Sequence, residues 1–302
     1  MRGTKIAVVA ILAGVILTPR LMPGHPIVES VERFMDRALD RVSGAVMQNV
    51  AQASDSDSER RSSSSTDSAD PFEWSGQLSE GQVVEVRGVN GPVFAVATDG
   101  DRVVVVAEKS GRRSDPDDVR IEVIEHSEGV MVCAVYPSSA GERENRCGPG
   151  DEYRSNVRNN DVSVEFHIEV PRGVRLDART VNGEIEATEL TADVDARTVN
   201  GDIEVTTQGF ARAQTVNGSI EAEMGRWMPT GAHFETVNGS IDLDLPDDVD
   251  ADLDASWVNG GLESDLPFTV NGRITRRSAR GQLGEGGPDL EIKTVNGSIR
   301  IR

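Results

Sequence analysis

The stretch "TVNGSI" stands at Thr215–Ile220, again at Thr236–Ile241 and again at Thr294–Ile299. Near copies are "TVNGEI" at Thr180–Ile185, "TVNGDI" at Thr198–Ile203, "WVNGGL" at Trp257–Leu262 and "TVNGRI" at Thr269–Ile274. Aligned on their asparagines, the seven copies fall at Asn182, Asn200, Asn217, Asn238, Asn259, Asn271 and Asn296. Valine precedes and glycine follows every one of them. Three positions on stand Ile185, Ile203, Ile220, Ile241, Leu262, Ile274 and Ile299.

The spacings between these asparagines are 18, 17, 21, 21, 12 and 25 residues. A unit of about 20 residues that is β-like throughout cannot bury its own apolar face, so copies must stack. Two geometries compete for the motif. Asn-Gly is a strong hairpin signal, and a hairpin would place Val199 on the face of Arg197 and Glu204. A continuous strand would instead turn Val199, Gly201, Ile203 and Val205 inward and Asn200, Asp202 and Glu204 outward. A valine present in all seven copies fits an inward position, which favours the continuous strand. Stacked copies would align valine on valine and asparagine on asparagine, the latter as a hydrogen-bonded ladder. The expected fold class is all-β: a parallel β-solenoid of stacked coils of about 20 residues.

The motifs sit within a longer β-rich region. "VSVEFHIEV" alternates at Val162, Val164, Phe166, Ile168 and Val170, and the stretch from Gln82 to Gly111 has β-branched runs broken by Asn-Gly and Asp-Gly. Upstream, residues 1–20 read as a signal peptide or membrane anchor: a basic start, then an apolar run from Ile6 to Leu17 that is short for a spanning helix. Residues 21–53 show an amphipathic helix pattern at Ile27, Val31, Phe34, Leu39, Val42 and Val46. Residues 54–71, "SDSDSERRSSSSTDSADP", form a serine- and aspartate-rich linker with nothing to bury. The folded domain is placed at 72–302.

The 302-residue chain has 31 basic and 51 acidic residues. Residues 1–53 carry a net +2, so the remainder carries −22. A surface this negative repels phosphate backbones, which argues against a nucleic-acid partner. Aromatic residues make up only 4%, so small and β-branched side chains must fill a thin core. In an exported protein Cys133 and Cys147 would pair, closing a loop of about 15 residues worth about 3 kcal/mol.

"VPRGVRLDARTVNGEIEA" at Val170–Ala187 and the closing "DLEIKTVNGSIRIR" at Asp289–Arg302 resemble the bacterial putative-adhesin domains. That resemblance runs from about Val83 to Arg302. It implies an exported β-solenoid of a family mostly without assigned function, some of whose members sit beside envelope-stress regulators. It implies no catalytic residues.

The residues agree with that silence on catalysis. The sequence contains no nucleophile elbow, His-Glu-x-x-His, P-loop or dinucleotide fingerprint. The glycine-rich Gly281–Pro288 reads as a loop, and His167 as a solvent-facing strand residue. One pattern goes beyond packing. Glu186, Glu204, Glu221, Asp242 and Glu263 each stand four residues after a motif asparagine. In a solenoid they form an outward column spaced about 4.8 Å apart, with Arg179 and Arg197 as the bases nearest the first two. Such a column offers carboxylate oxygens to a hard cation such as calcium, or else stays a solvated acidic face. No other cofactor is expected. The function expected is a non-enzymatic, exported module of the cell envelope, adhesive or scaffolding, whose partner is an envelope protein or polysaccharide. The alternative is an accessory or sensor protein that meets the membrane through residues 5–50. A carbohydrate-active enzyme ranks last.

Overall fold

Inward residues alternate with outward ones along most of the short strands, and the chain turns a corner at the Asn-Gly pairs from Asn182 to Asn238. In a computed structural model, residues 67–302 are described apart from 69, 140, 142, 150–152, 227–230, 247 and 271–274. The signal or anchor segment 1–20, the helix 21–53 and most of the linker 54–71 lie outside the described residues, as do Trp227 and Asn271.

The described chain is all-β apart from one short 3-10 turn at Pro116–Asp118, and it builds two large sheets. The first runs in the order Asp67–Ser68, Val103–Gly111, Ser163–Pro171, Val93–Thr98, Ile185–Leu190, Ile203–Thr207, Ile220–Met224, Ile241–Asp244, Ile299–Ile301, Leu262–Ser264. Phe72–Gly76 also pairs with Val103–Gly111. The second runs Phe268–Val270, Ser278–Leu283, Ala251–Asn259, Asp289–Asn296, Ala232–Glu235, Ala211–Gln214, Val194–Arg197, Arg175–Arg179, Val83–Arg87, Gly129–Val135, Arg120–His126. From Val93–Thr98 to Leu262–Ser264 the first sheet is parallel throughout. The matching part of the second sheet is parallel too.

Each coil is one strand of the second sheet, a corner, and one strand of the first. The core lies between the sheets and is filled by small and aliphatic side chains such as Val194, Ala196, Ile203 and Val205, all about 1% exposed or less. That thin core is what the low aromatic content demanded.

The motif is the corner, which corrects the continuous-strand expectation. The strand Val194–Arg197 ends before Thr198, and the next begins at Ile203. Between them Asn200 makes an isolated bridge to the asparagine of each neighbouring coil. Each letter of the motif then has its own task. Thr198 continues the inward alternation and is buried, and its Oγ1 donates to the Gly183 carbonyl of the preceding coil at 2.9 Å. Thr215, Thr236 and Thr294 repeat that bond. Val216, Val237 and Val295 are buried as expected, but in a small cluster of their own, flanked by Val199 and Val258. Ile185, Ile203, Ile220, Ile241 and Ile299 join the main core.

The asparagines form the expected ladder. Asn200 Nδ2 donates to Asn182 Oδ1 at 2.8 Å, Asn217 to Asn200 and Asn238 to Asn217 likewise. Asn296 then donates to Asn238, and Asn259 to Asn296, each at 2.7 Å. At the other end Asn182 donates to Asn90, a rung in "GVNGPV" that lacks the threonine and isoleucine of most copies. The glycines allow the close stacking. A Cβ on Gly218 would lie 2.0 Å from the Gly201 carbonyl oxygen, and one on Gly239 the same distance from that of Gly218.

The stacking order is not the chain order. The last coil, Asp289–Ile301, inserts between Ala232–Asp244 and Ala251–Ser264. At the opposite end Val83–Thr98 lies inside the coil formed by Gly129–Val135 and Ser163–Pro171. Ala251–Ser264 is therefore the outermost coil: Ala251–Asn259 is flanked by Ser278–Leu283, while Leu262–Ser264 remains an edge strand of the first sheet. Pairing also reaches back to Asp67–Ser68, which joins Gly111 and Ser110 from within the serine-rich stretch.

Candidate functional site

The outward residues of the first sheet form one ruled face. Strand register places Glu186, Glu204, Glu221 and Asp242 side by side, as expected. The next rung is Arg300, because the final coil intervenes, and Glu263 comes after it. Arg300 reaches Asp242 at 3.5 Å and Glu263 at 3.4 Å. The column of five acids is therefore four acids, an arginine and one acid, with that end partly neutralised. Arg179 and Arg197 do not serve it. They lie on the second sheet, where they pair with Asp177 and Asp195, each at 2.8 Å. Among the described residues no three His, Cys, Asp or Glu side chains are grouped closely enough to hold a metal ion.

Toward the other end of the face the column turns apolar. Phe94 is the register partner of both Glu186 and His167, and Val106 lies beyond His167. His167 is solvent-facing, as expected, and its ring stacks on Phe94 with centroids 5.4 Å apart. One row over, Val96 and Val104 flank Glu169. Together these side chains line a hollow of about 320 Å³ bordered by Glu169, Glu186 and Thr188. Val96 is 43% exposed, unusual for a valine in a strand. Sequence reasoning missed this hollow because its strands, Val93–Thr98, Val103–Gly111 and Ser163–Pro171, stack out of chain order.

The outer face of the second sheet is a half-buried ionic lattice. Arg87 contacts Glu85 and Asp177, and Arg179 also contacts Asp177. Asp177 is half-buried, and although desolvation raises its pKa, Arg87 and Arg179 hold its carboxyl below the ordinary carboxylate range. Burial raises Asp195 despite Arg197 beside it. Over this corner pack Met131, Cys133, Val135 and Cys147. Cys133 and Cys147 form the expected disulfide, with Cα atoms 5.7 Å apart, tying the excursion after Val135 to the sheet.

Further along the same face His233 sits between two carboxylates. Its Nδ1 lies 2.7 Å from Glu291 and its Nε2 3.1 Å from Glu235, while Lys293 pairs with Glu291. The contact ties the coil of Ala232–Glu235 to the inserted final coil. Burial alone would lower the His233 pKa, but hydrogen bonds and charge from Glu235 and Glu291 raise it above its ordinary 6.5. The hydrogen bond from His233 takes Glu291 down to about 2. The raised histidine stabilises fully below pH 6.5 and loses that contribution as pH rises through its folded value. The lowered carboxylate stabilises above its ordinary 4.5 and loses that contribution as pH falls toward 2. Melting temperature should therefore be highest between those limits, from about pH 4.5 to 6.5. His233→Gln should flatten the alkaline decline, and an unchanged profile in that variant would count against the clamp.

A family model described as Toastrack DUF4097 matches residues 149–302, half of the chain. No curated protein matches the sequence. Among solved structures, one described as a putative cell adhesion protein, from Clostridium sporogenes ATCC 15579, is 10% identical with a TM-score of 0.41. The alignment covers 77% of this chain and 99% of that one. Another, described as a putative adhesin from Bacteroides fragilis NCTC 9343, is 11% identical with a TM-score of 0.32, covering 77% and 97%.

Proposed function

Since this chain belongs to the Toastrack DUF4097 family, matched over residues 149–302, we propose that it is a non-enzymatic binding and scaffolding module exported to the cell envelope. The observation that carries the reading is the ruled outer face of the first sheet. A stacked solenoid holds outward side chains at fixed rungs, so a partner meets a preformed surface and little ordering entropy is lost on contact. That surface joins the hollow of Phe94, Val96, Val104 and Val106 to a run of carboxylates. An apolar seat beside negative charge suits an envelope protein or polysaccharide that presents apolar surface next to cationic groups. The disulfide supports export, because such bonds persist in oxidising compartments. Nucleic acid is a poor partner for a chain of net charge −20. Membrane association through residues 5–50 belongs to the same proposal, as does the alternative role of an envelope sensor.

Capture from envelope extract tests the reading. The full chain should retain a partner that Val96→Glu does not, because a charge in the hollow excludes apolar contact. Equal capture by both proteins would place binding elsewhere.

On this reading the module works without a cofactor. Calcium is the cation the column would recruit, and neighbouring carboxylates offer it two side chains at a time. With Arg300 already neutralising one end, the melting curves in calcium and in ionic strength-matched sodium are expected to coincide, since screening alone relieves the repulsion. A saturable extra rise in calcium would instead assign a bridging ion to Glu186, Glu204, Glu221 or Asp242.

A further inference from the structure

We propose that Asn259 is a site of spontaneous deamidation in the folded protein, and that the ladder suppresses the same reaction at its other asparagines. Asn-Gly is the dipeptide most open to this chemistry, because glycine offers no side chain to hinder ring closure. The glycine backbone nitrogen, its proton passed to solvent base, attacks the asparagine side-chain carbonyl carbon. A C–N bond forms and closes a succinimide. The bond from that carbon to Nδ2 breaks, and the amide leaves as ammonia. Water then opens the ring to aspartate or isoaspartate, with no change of oxidation state.

Three groups must be free for the ring to close: the glycine N–H, the asparagine Nδ2 and its Oδ1. In six corners all three are engaged. The N–H groups of Gly91, Gly183, Gly201, Gly218, Gly239 and Gly297 each donate to the asparagine carbonyl of the next rung, at 2.8–3.0 Å. Each preceding asparagine side chain both donates and accepts; Asn90, at the start, donates to Val162 at 3.4 Å and accepts from Asn182. Rotating any of these side chains toward its glycine breaks ladder bonds on both sides.

Asn259 is the last rung. Its Nδ2 donates to Asn296 Oδ1 at 2.7 Å, but among the described residues nothing donates to its own Oδ1 and nothing accepts from the Gly260 N–H. Asn259 and Gly260 are both exposed, whereas the other six ladder asparagines are half-buried. Ring closure there breaks one hydrogen bond, not three. The product carboxylate would face Asn296 Oδ1 in place of a donor, so the modification weakens the hold on the outermost coil, Ala251–Ser264.

The test is peptide mapping of the full chain after incubation at mildly alkaline pH, folded and in urea, with aspartate and isoaspartate quantified at each asparagine. In the folded chain Asn259 should convert at least about ten-fold faster than Asn182, Asn200, Asn217, Asn238 and Asn296, the factor expected for sparing two hydrogen bonds. In urea the difference should shrink to a few-fold. The map separates Asn271, which lies outside the described residues. Equal rates at Asn259 and the inner rungs of the folded chain would overturn the proposal, and so would a ten-fold excess that persists unchanged in urea, since it would then belong to local sequence alone.

Discussion

Alanine at Gly218 is expected to destabilise the solenoid by about 3 kcal/mol or more, near the upper end for a single methyl. The added carbon would stand 2.0 Å from the Gly201 carbonyl oxygen and 2.5 Å from its carbonyl carbon. Both are backbone atoms held in the inter-coil ladder, so neither can rotate away. The coils would have to part at the corner, loosening the Asn217–Asn200 bond and the Thr215 bond to Gly201 together. In a domain of this size each kcal/mol moves the melting temperature by roughly 2–4 °C. Gly261→Ala is the control: a Cβ there meets nothing within 4 Å, and its cost should stay within about 0.5 kcal/mol. Thermal unfolding of the two variants checks the contrast, and similar shifts would mean that the corners are not closely stacked.

Removal of residues 289–302 is expected to cost more than the coil it deletes. Leu290, Ile292, Ile299 and Ile301 are fully buried, and burying each is worth about 1.5–3 kcal/mol. Their sum is comparable to the whole stability of an ordinary domain. The deleted coil also holds Ala251–Asn259 and Leu262–Ser264 onto the rest of the stack. Amide exchange should therefore show protection lost at 262–264, whose strand pairs only with the deleted coil, while Val194–Thr207 stays protected in whatever fraction remains folded. Protection retained at 262–264 would indicate direct pairing with Ala232–Asp244, which is the order of the chain.

The repeat made the stack legible. The seven copies of the six-residue motif, among eight Val-Asn-Gly triplets in the chain, gave the period, the ladder and the parallel coils, because identical side chains at one height can satisfy one another. The alternation in Ser163–Pro171 or Val194–Arg197 likewise gave the inward face. The corner departs from the continuous-strand expectation because a buried valine does not require a strand. Val216, Val237 and Val295 find cover in a separate cluster, and the inward alternation is continued by threonine. Stacking order was not legible at all. It depends on which edge the chain returns to after its excursions, and neither Arg300 nor Glu263 carries a local signal of that choice. The hollow at Phe94 and the His233 clamp were hidden for the same reason, since both join residues whose coils are adjacent only in the folded molecule.

The stacking order governs the column, the ladder and the exposed last rung, so it is the point to test most directly. Register partners on adjacent strands lie about 4.8 Å apart, within reach of a disulfide, while residues two strands apart lie beyond it. The double variant Asp242→Cys with Arg300→Cys should oxidise readily, and peptide mapping should find the new disulfide joining positions 242 and 300. The double variant Asp242→Cys with Glu263→Cys should keep both new thiols free. Bridging of the second pair but not the first would contradict the inserted final coil and restore a stack that follows the chain.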